Sequence, residues 1–205
     1  MSFHWRKFVP WAMVGMRASF GPLMAVLAVQ VAAPEFWLGA LIVAGFLSDI
    51  YDGILARRWG TATAALRVGD SVADTVFYLG VLAAVVERHW PALRDRMAWL
   101  AALLLLEALR MLFDWAKYGR MASYHSYAAK LWGILLAVTT VSVLCLDRAY
   151  WLVTVALAWG ILCDLEGLAM SLMLPEWAHD VKTLRRALLL RREMLAGAVP
   201  LAASK

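Results

Sequence analysis

The stretch SDIYDGILARRWGTATAALRVGDSVADTVF, residues 48–77, joins two strongly apolar runs, FWLGALIVAGFL at 36–47 and VFYLGVLAAVV at 76–86. Four aspartates, Asp49, Asp52, Asp70 and Asp74, fall at this junction. Ionisable residues in or beside a membrane-length run are costly enough to be functional candidates by default. Asp49 and Asp52 are spaced i,i+3 and Asp70 and Asp74 i,i+4, so each pair shares one helix face. The first pair closes one apolar run and the second opens the next. Consecutive antiparallel helices with a short connection ordinarily pack side by side. The two pairs are therefore predicted to face each other at one depth, as a four-carboxylate cluster.

The rest of the chain sets this cluster in a membrane. Its 205 residues are 63% hydrophobic and 17% charged, with 11 Trp, whereas soluble domains average roughly 45–50% apolar and ~25% charged. A bilayer core takes roughly 20 apolar residues per helix, and six such runs can be marked, at about 9–31, 36–56, 71–88, 96–116, 127–147 and 150–174. The expected fold is all-α, a polytopic membrane protein of six transmembrane helices. Little chain remains between them, so residues 1–205 read as one membrane domain. Its basic tail, about 180–196, contains VKTLRRALLLRREML, whose apolar stripe and basic face suit a helix lying in the headgroup layer.

Lys and Arg fix the expected orientation. Arg6, Lys7, Arg57, Arg58, Arg67, Lys117, Arg120, Lys130 and the tail cations mark one side; Arg88, Arg94, Arg96 and Arg148 mark the other. The richer side, with both termini and the aspartates, is predicted to be cytoplasmic. Arg6 and Lys7 precede an apolar run as in a signal peptide, but Arg17 interrupts that run and no small-residue cleavage site is evident, so it reads as a retained first helix. The net charge of +5 is explained by the positive-inside bias and anionic lipid rather than by nucleic acid. Cys145 and Cys163 fall within spans and read as packing residues, and Trp37, Trp90 and Trp151 as interface anchors.

Four clustered carboxylates repel one another unless a cation holds them. Their hard oxygens suit Mg²⁺, Mn²⁺ or Ca²⁺, and no Cys/His cluster offers a zinc site. Gly53 permits close approach beside Asp52, and Arg57 supplies a cation suited to a phosphate.

D49-x-x-D52-G53-x-x-A56-R57, followed by Asp70 and Asp74, resembles the signature of the CDP-alcohol phosphotransferases, D-x2-D-G-x2-A-R-x8-G-x3-D-x3-D. Each fixed position matches except the second glycine, which falls on Leu66. Arg17 with Pro22 is similar to the family's first helix, although Trp11 and Val14 stand where many members have Asn and Thr. YHSYAAKLWG is similar to the start of its fifth. The resemblance implies transfer of a phosphatidyl group from CDP-diacylglycerol to a small alcohol, with release of CMP, in phospholipid biosynthesis. It further implies two divalent cations, Mg²⁺ or Mn²⁺, on Asp49, Asp52, Asp70 and Asp74, with Asp74 also taking the acceptor's proton. Asp49, Gly53, Ala56 and Arg57 would bind the nucleotide. A homodimer in a bacterial inner (plasma) membrane, its site facing the cytoplasm, is implied as well.

Arg110, Arg120 and Lys130 are candidate ligands for a phosphorylated acceptor such as glycerol 3-phosphate, in the manner of a phosphatidylglycerophosphate synthase. Equally, Glu107 or Asp114 could neutralise Arg110 on its own helix, with Arg120 and Lys130 serving topology. Asp164 and Glu166 are expected to pair with Arg17 or Arg110, and His125 to lie on a polar surface loop. In the family, glycine at position 66 lets the third helix approach the nucleotide, and a leucyl side chain would fill part of that space. Two further readings stay open: a catalytically impaired member that binds lipid or nucleotide, and a divalent-cation transporter. The transporter has no second acidic set on the opposite side.

Overall fold

The computed structural model describes residues 4–122, 124 and 126–197. His125 therefore lies outside the described residues. Among the described residues seven helices follow in order: α1 His4–Gln30, α2 Glu35–Arg58, α3 Ala64–Arg94, α4 Met97–Tyr118, α5 Tyr127–Leu146, α6 Trp151–Met173 and α7 Leu184–Gly197. There is no β-strand among the described residues, and five helices, α1, α2, α3, α5 and α6, are long and apolar enough to cross a membrane. The chain is thus an all-α membrane protein. The run predicted at 96–116 is helical as α4, but Glu107, Arg110 and Asp114 interrupt it and set it apart from the five.

The aspartate-rich connection is shorter than the sequence pattern implied. Gly60 at φ +66° follows the end of α2, in a left-handed conformation that lacks a Cβ penalty only in glycine. Thr63, extended at φ −105° and ψ 161°, then caps α3, its hydroxyl accepting the Leu66 amide at 3.1 Å. This cap starts α3 at Ala64 rather than at the predicted 71 and puts Leu66 in its first turn. Near its other end α3 kinks at His89 (φ −138°, ψ 44°), two residues before Pro91, whose ring and missing N–H interrupt the helical ladder.

The chain forms two compact units. The first comprises Met1–Asp95 and Ala137–Tyr150, the second Arg96–Leu136 and Trp151–Lys205. In the first, α1 packs along both α2 and α3, which touch each other much less. The side-by-side pairing of the second and third spans expected from the sequence is replaced by an inserted α1. Glycine explains the insertion. A Cβ on Gly21 would lie 2.2 Å from the Val76 carbonyl oxygen, and one on Gly80 2.1 Å from that of Gly21. Small residues let membrane helices approach backbone to backbone. Gly45 makes room in the same way for the Phe77 ring. After α5, Tyr150 donates to Asp147 and holds that carboxyl below its ordinary range, while His89 Nδ1 lies 3.1 Å from both.

In the second unit α4 packs on α6, and α6 on α7. Buried Asp114 accepts from the Ser171 hydroxyl at 2.5 Å, and Ser171 meets Tyr124 at 2.8 Å. Lys117 Nζ donates to the carbonyls of Ser171 at 2.6 Å and Leu174 at 2.8 Å, which lack helical donors at the end of α6. The tail expected at about 180–196 contains α7. It docks through Ala187, Leu190 and Met194 against a core including Met170, Leu174 and Val181, leaving Arg185, Arg186, Arg191 and Arg192 exposed.

Candidate active site

The four aspartates converge because three helices supply them and their counter-charge. Asp49 and Asp52 lie in the last turns of α2, Asp70 and Asp74 in the early turns of α3, and Arg17 midway along α1. One turn beyond Arg17, Gly21 brings α1 onto α3 at Val76 and Gly80, carrying the guanidinium among the carboxylates. Arg17 Nη1 lies 2.8 Å from Asp49 Oδ1, Nη2 3.1 Å from Asp52 Oδ2, and Nε 3.1 Å from Asp74 Oδ1. Nη2 also pairs with Asp70 Oδ1. One cation therefore bridges all four acids.

The carboxylates are not equivalent. Asp52 is buried, Asp49 is exposed, and Asp70 and Asp74 are half-buried. Asp49, Asp70 and Asp74 each offer an oxygen, all within 4.8 Å of one another. This set fits hard divalent cations: the donors are all carboxylate oxygen, and the guanidinium shows that a positive group is accommodated among them. Asp52 joins the cluster from its buried side through Arg17.

Of the predicted nucleotide residues, Ala56 is buried, Arg57 exposed and Gly53 between them. The Arg57 guanidinium lies over Gly53, where a Cβ would come within 3.3 Å of Nη1. Leu66 is only 7% exposed, packed with Val14, Ala56 and Ala73. Trp11 covers Gly69, a Cβ on which would meet its ring at 2.8 Å. The positions where the chain departs from the family pattern, Trp11, Val14 and Leu66, thus lie along one α1–α3 contact. Beside the carboxylates, Arg17, Asp49 and Asp74 share a small open cleft with Gly45, Phe46, Phe77 and Tyr78.

Arg110, Arg120 and Lys130 belong to the second unit. Arg110 Nε donates to Asp164 at 3.0 Å and Nη1 lies 3.8 Å from Asp114, so two carboxylates answer its charge. Arg120 lies 4.4 Å over the Trp177 ring, and Lys130 Nζ 5.8 Å over that of Tyr127. Asp164 thus has the Arg110 partner expected for it, whereas Arg17 turns to the four aspartates. That role was missed in the sequence, although a lone arginine in an apolar helix had to find acidic partners somewhere.

Residues 7–165 match the family described as CDP-alcohol phosphatidyltransferase. No curated protein and no solved structure matches the chain significantly.

Proposed function

The chain belongs to the CDP-alcohol phosphatidyltransferase family, and on that premise we propose that it transfers a phosphatidyl group from CDP-diacylglycerol to a small phosphorylated alcohol such as glycerol 3-phosphate. Family membership carries the coarser statement: an integral membrane enzyme moving a phosphatidyl group from a CDP-alcohol to an acceptor. The observation that best supports the finer reading is the gathering of Asp49, Asp52, Asp70 and Asp74 around one buried cation. In this reading residues 1–205 act as one catalytic domain, as a homodimer, in a bacterial inner membrane with the site facing the cytoplasm. The product would be a phosphatidylglycerophosphate-type lipid for phospholipid biosynthesis.

Asp49, Asp52, Asp70 and Asp74 would hold two divalent cations, Mg²⁺ or Mn²⁺. When bound, such cations stabilise negative charge on the entering and leaving oxygens of a phosphoryl displacement. The chain's own groups do the rest. Asp74 takes the proton from the acceptor hydroxyl as its oxygen bonds to the phosphatidyl phosphorus and the phosphoanhydride bond to CMP breaks. Asp49, Gly53, Ala56 and Arg57 hold the nucleotide, the uncovered Arg57 guanidinium being suited to its phosphates. The cleft combines carboxylates with Phe46, Phe77 and Tyr78, a pairing suited to a molecule with a polar head and an apolar body. Arg120 and Lys130, with Arg110, would receive the acceptor's phosphate.

Purified protein supplied with CDP-diacylglycerol, glycerol 3-phosphate and Mg²⁺ or Mn²⁺ is expected to release CMP and form a new phospholipid, read by mass spectrometry. Asp74→Asn is expected to lose both. Absence of CMP release over a panel of polyol, sugar-phosphate and amino-alcohol acceptors would overturn this reading. It would favour the second one, a family member that binds nucleotide without turnover, for which buried Leu66 against Ala56 is the specific motive.

A further inference from the structure

We propose that Arg17 is a resident counter-ion that competes with divalent cations for the four aspartates, keeping the cluster assembled while setting its metal affinity. The inference rests on the reading of those aspartates as a cation site. Its observation is the reach of one guanidinium: Nη1, Nη2 and Nε engage Asp49, Asp52, Asp70 and Asp74 together. Three of these acids, Asp49, Asp70 and Asp74, form the group whose oxygens could hold a metal ion. The arginine and a metal ion therefore draw on one set of ligands.

Arg17 cannot simply turn to bulk water. Its side chain is 1% exposed, and α1 is locked to α3 by the Gly21 and Gly80 contacts one turn further on. The space next to it is the cleft bounded by Gly45, Phe46, Phe77 and Tyr78, a short swing from the carboxylates. Charge makes the competition two-sided. With Arg17 alone, four ionised carboxylates would leave three negative charges uncompensated, enough to attract further cations. With two divalent cations added, the cluster carries one net positive charge and complements an anionic diphosphate. A unit charge a few ångströms from a divalent ion repels it strongly even at an effective dielectric constant of about 20. Arg17 therefore weakens metal binding while restraining four acids that would otherwise repel one another.

The test is Mn²⁺ binding, read as loss of the free-ion EPR signal, with thermal unfolding of the full chain in detergent followed in parallel. Relative to wild type, Arg17→Met is expected to lower the Mn²⁺ dissociation constant by about tenfold or more. The same variant is expected to melt earlier in EDTA and to recover most of that loss in saturating Mn²⁺. Arg17→Lys keeps a charge but lacks the fork that spans four acids; its Mn²⁺ affinity is expected to lie between the two, and it serves as the readout if Arg17→Met does not fold. An unchanged or weaker Mn²⁺ affinity in Arg17→Met, or in Arg17→Lys where that is the readout, would overturn the proposal. So would equal losses of melting temperature in EDTA and Mn²⁺. If wild type and variants all fail to bind Mn²⁺, the cation site itself falls, an outcome distinguishable from bound metal that ignores Arg17.

Discussion

At the scale of single residues, Leu66 concentrates the tension between the family pattern and this chain. The pattern calls for glycine, and Leu66 is instead a buried member of a small cluster with Val14, Ala56 and Ala73. Truncating a buried leucine removes its transfer energy and leaves a cavity, at a cost of about 2–5 kcal/mol. Leu66→Ala is therefore expected to lower the unfolding temperature in detergent. It also opens space beside Ala56, so the KM for the CDP donor is expected to fall while Mn²⁺ affinity stays unchanged; a KM that rises with the lost packing would mean that Leu66 supports the nucleotide site. Thr63 gives a milder contrast. Its hydroxyl caps α3 through the Leu66 amide, and Thr63→Ala is expected to cost about 1 kcal/mol, measured in the same melt. The acids of the site were legible in the sequence because spacing alone puts each pair on one helix face. Their shared partner Arg17 was not, because nothing local tells an arginine in one helix which of several acids in others it will meet.

At the scale of elements, the structure turns on which helices touch. Of the six apolar runs marked in the sequence, five form helices long and apolar enough to cross a membrane, whereas the run at 96–116 forms a helix interrupted by Glu107, Arg110 and Asp114. The sequence placed the second and third spans side by side, but α1 lies along both. Adjacency along the chain was outweighed by two glycines far apart in sequence, Gly21 and Gly80, whose missing side chains admit close backbone contact. Gly80→Leu is thus expected to separate α1 from α3 and withdraw Arg17 from the aspartates. The measured outcome would be a large drop in melting temperature together with loss of CMP release. Gly15→Ala is the control: a Cβ there meets nothing within 4 Å, and alanine is the better helix former by up to about 1 kcal/mol, so melting temperature and activity are expected to hold or rise slightly. Lys117 is the corresponding tie in the second unit. It shares the carbonyls of Ser171 and Leu174 at the end of α6 with the Tyr118 hydroxyl. Lys117→Met therefore removes one donor without stranding either acceptor and is expected to cost about 1 kcal/mol, whereas adding Tyr118→Phe leaves both without a side-chain donor and is expected to cost more. A melt unchanged from wild type in Lys117→Met would show that the Tyr118 hydroxyl satisfies these carbonyls by itself.

At the scale of the whole molecule, the distribution of charge argues for a single orientation. Arg57, Arg58 and Arg67 flank the α2–α3 connection, and Arg185, Arg186, Arg191 and Arg192 lie exposed on α7, whereas the α5–α6 connection carries Arg148 alone. Positive charge in short connections is retained on the cytoplasmic side, which would place the aspartates where a water-soluble acceptor is supplied from the cell interior. Two exposed positions make this measurable. Ala62 lies between α2 and α3, and Arg148 between α5 and α6. The native thiols, Cys145 and Cys163, are free and can first be replaced by alanine. In that background, Ala62→Cys is expected to react with a membrane-impermeant maleimide only after cells are permeabilised, and Arg148→Cys in intact cells. The reverse labelling pattern would put the carboxylates on the outer face and remove the case for a cytoplasmic acceptor. Equal labelling of both positions in intact cells would contradict a single orientation, and with it the use of basic residues to fix one. The two positions must be read together, because labelling of Arg148→Cys alone could come from cell leakage, whereas a protected Ala62→Cys in the same preparation excludes that.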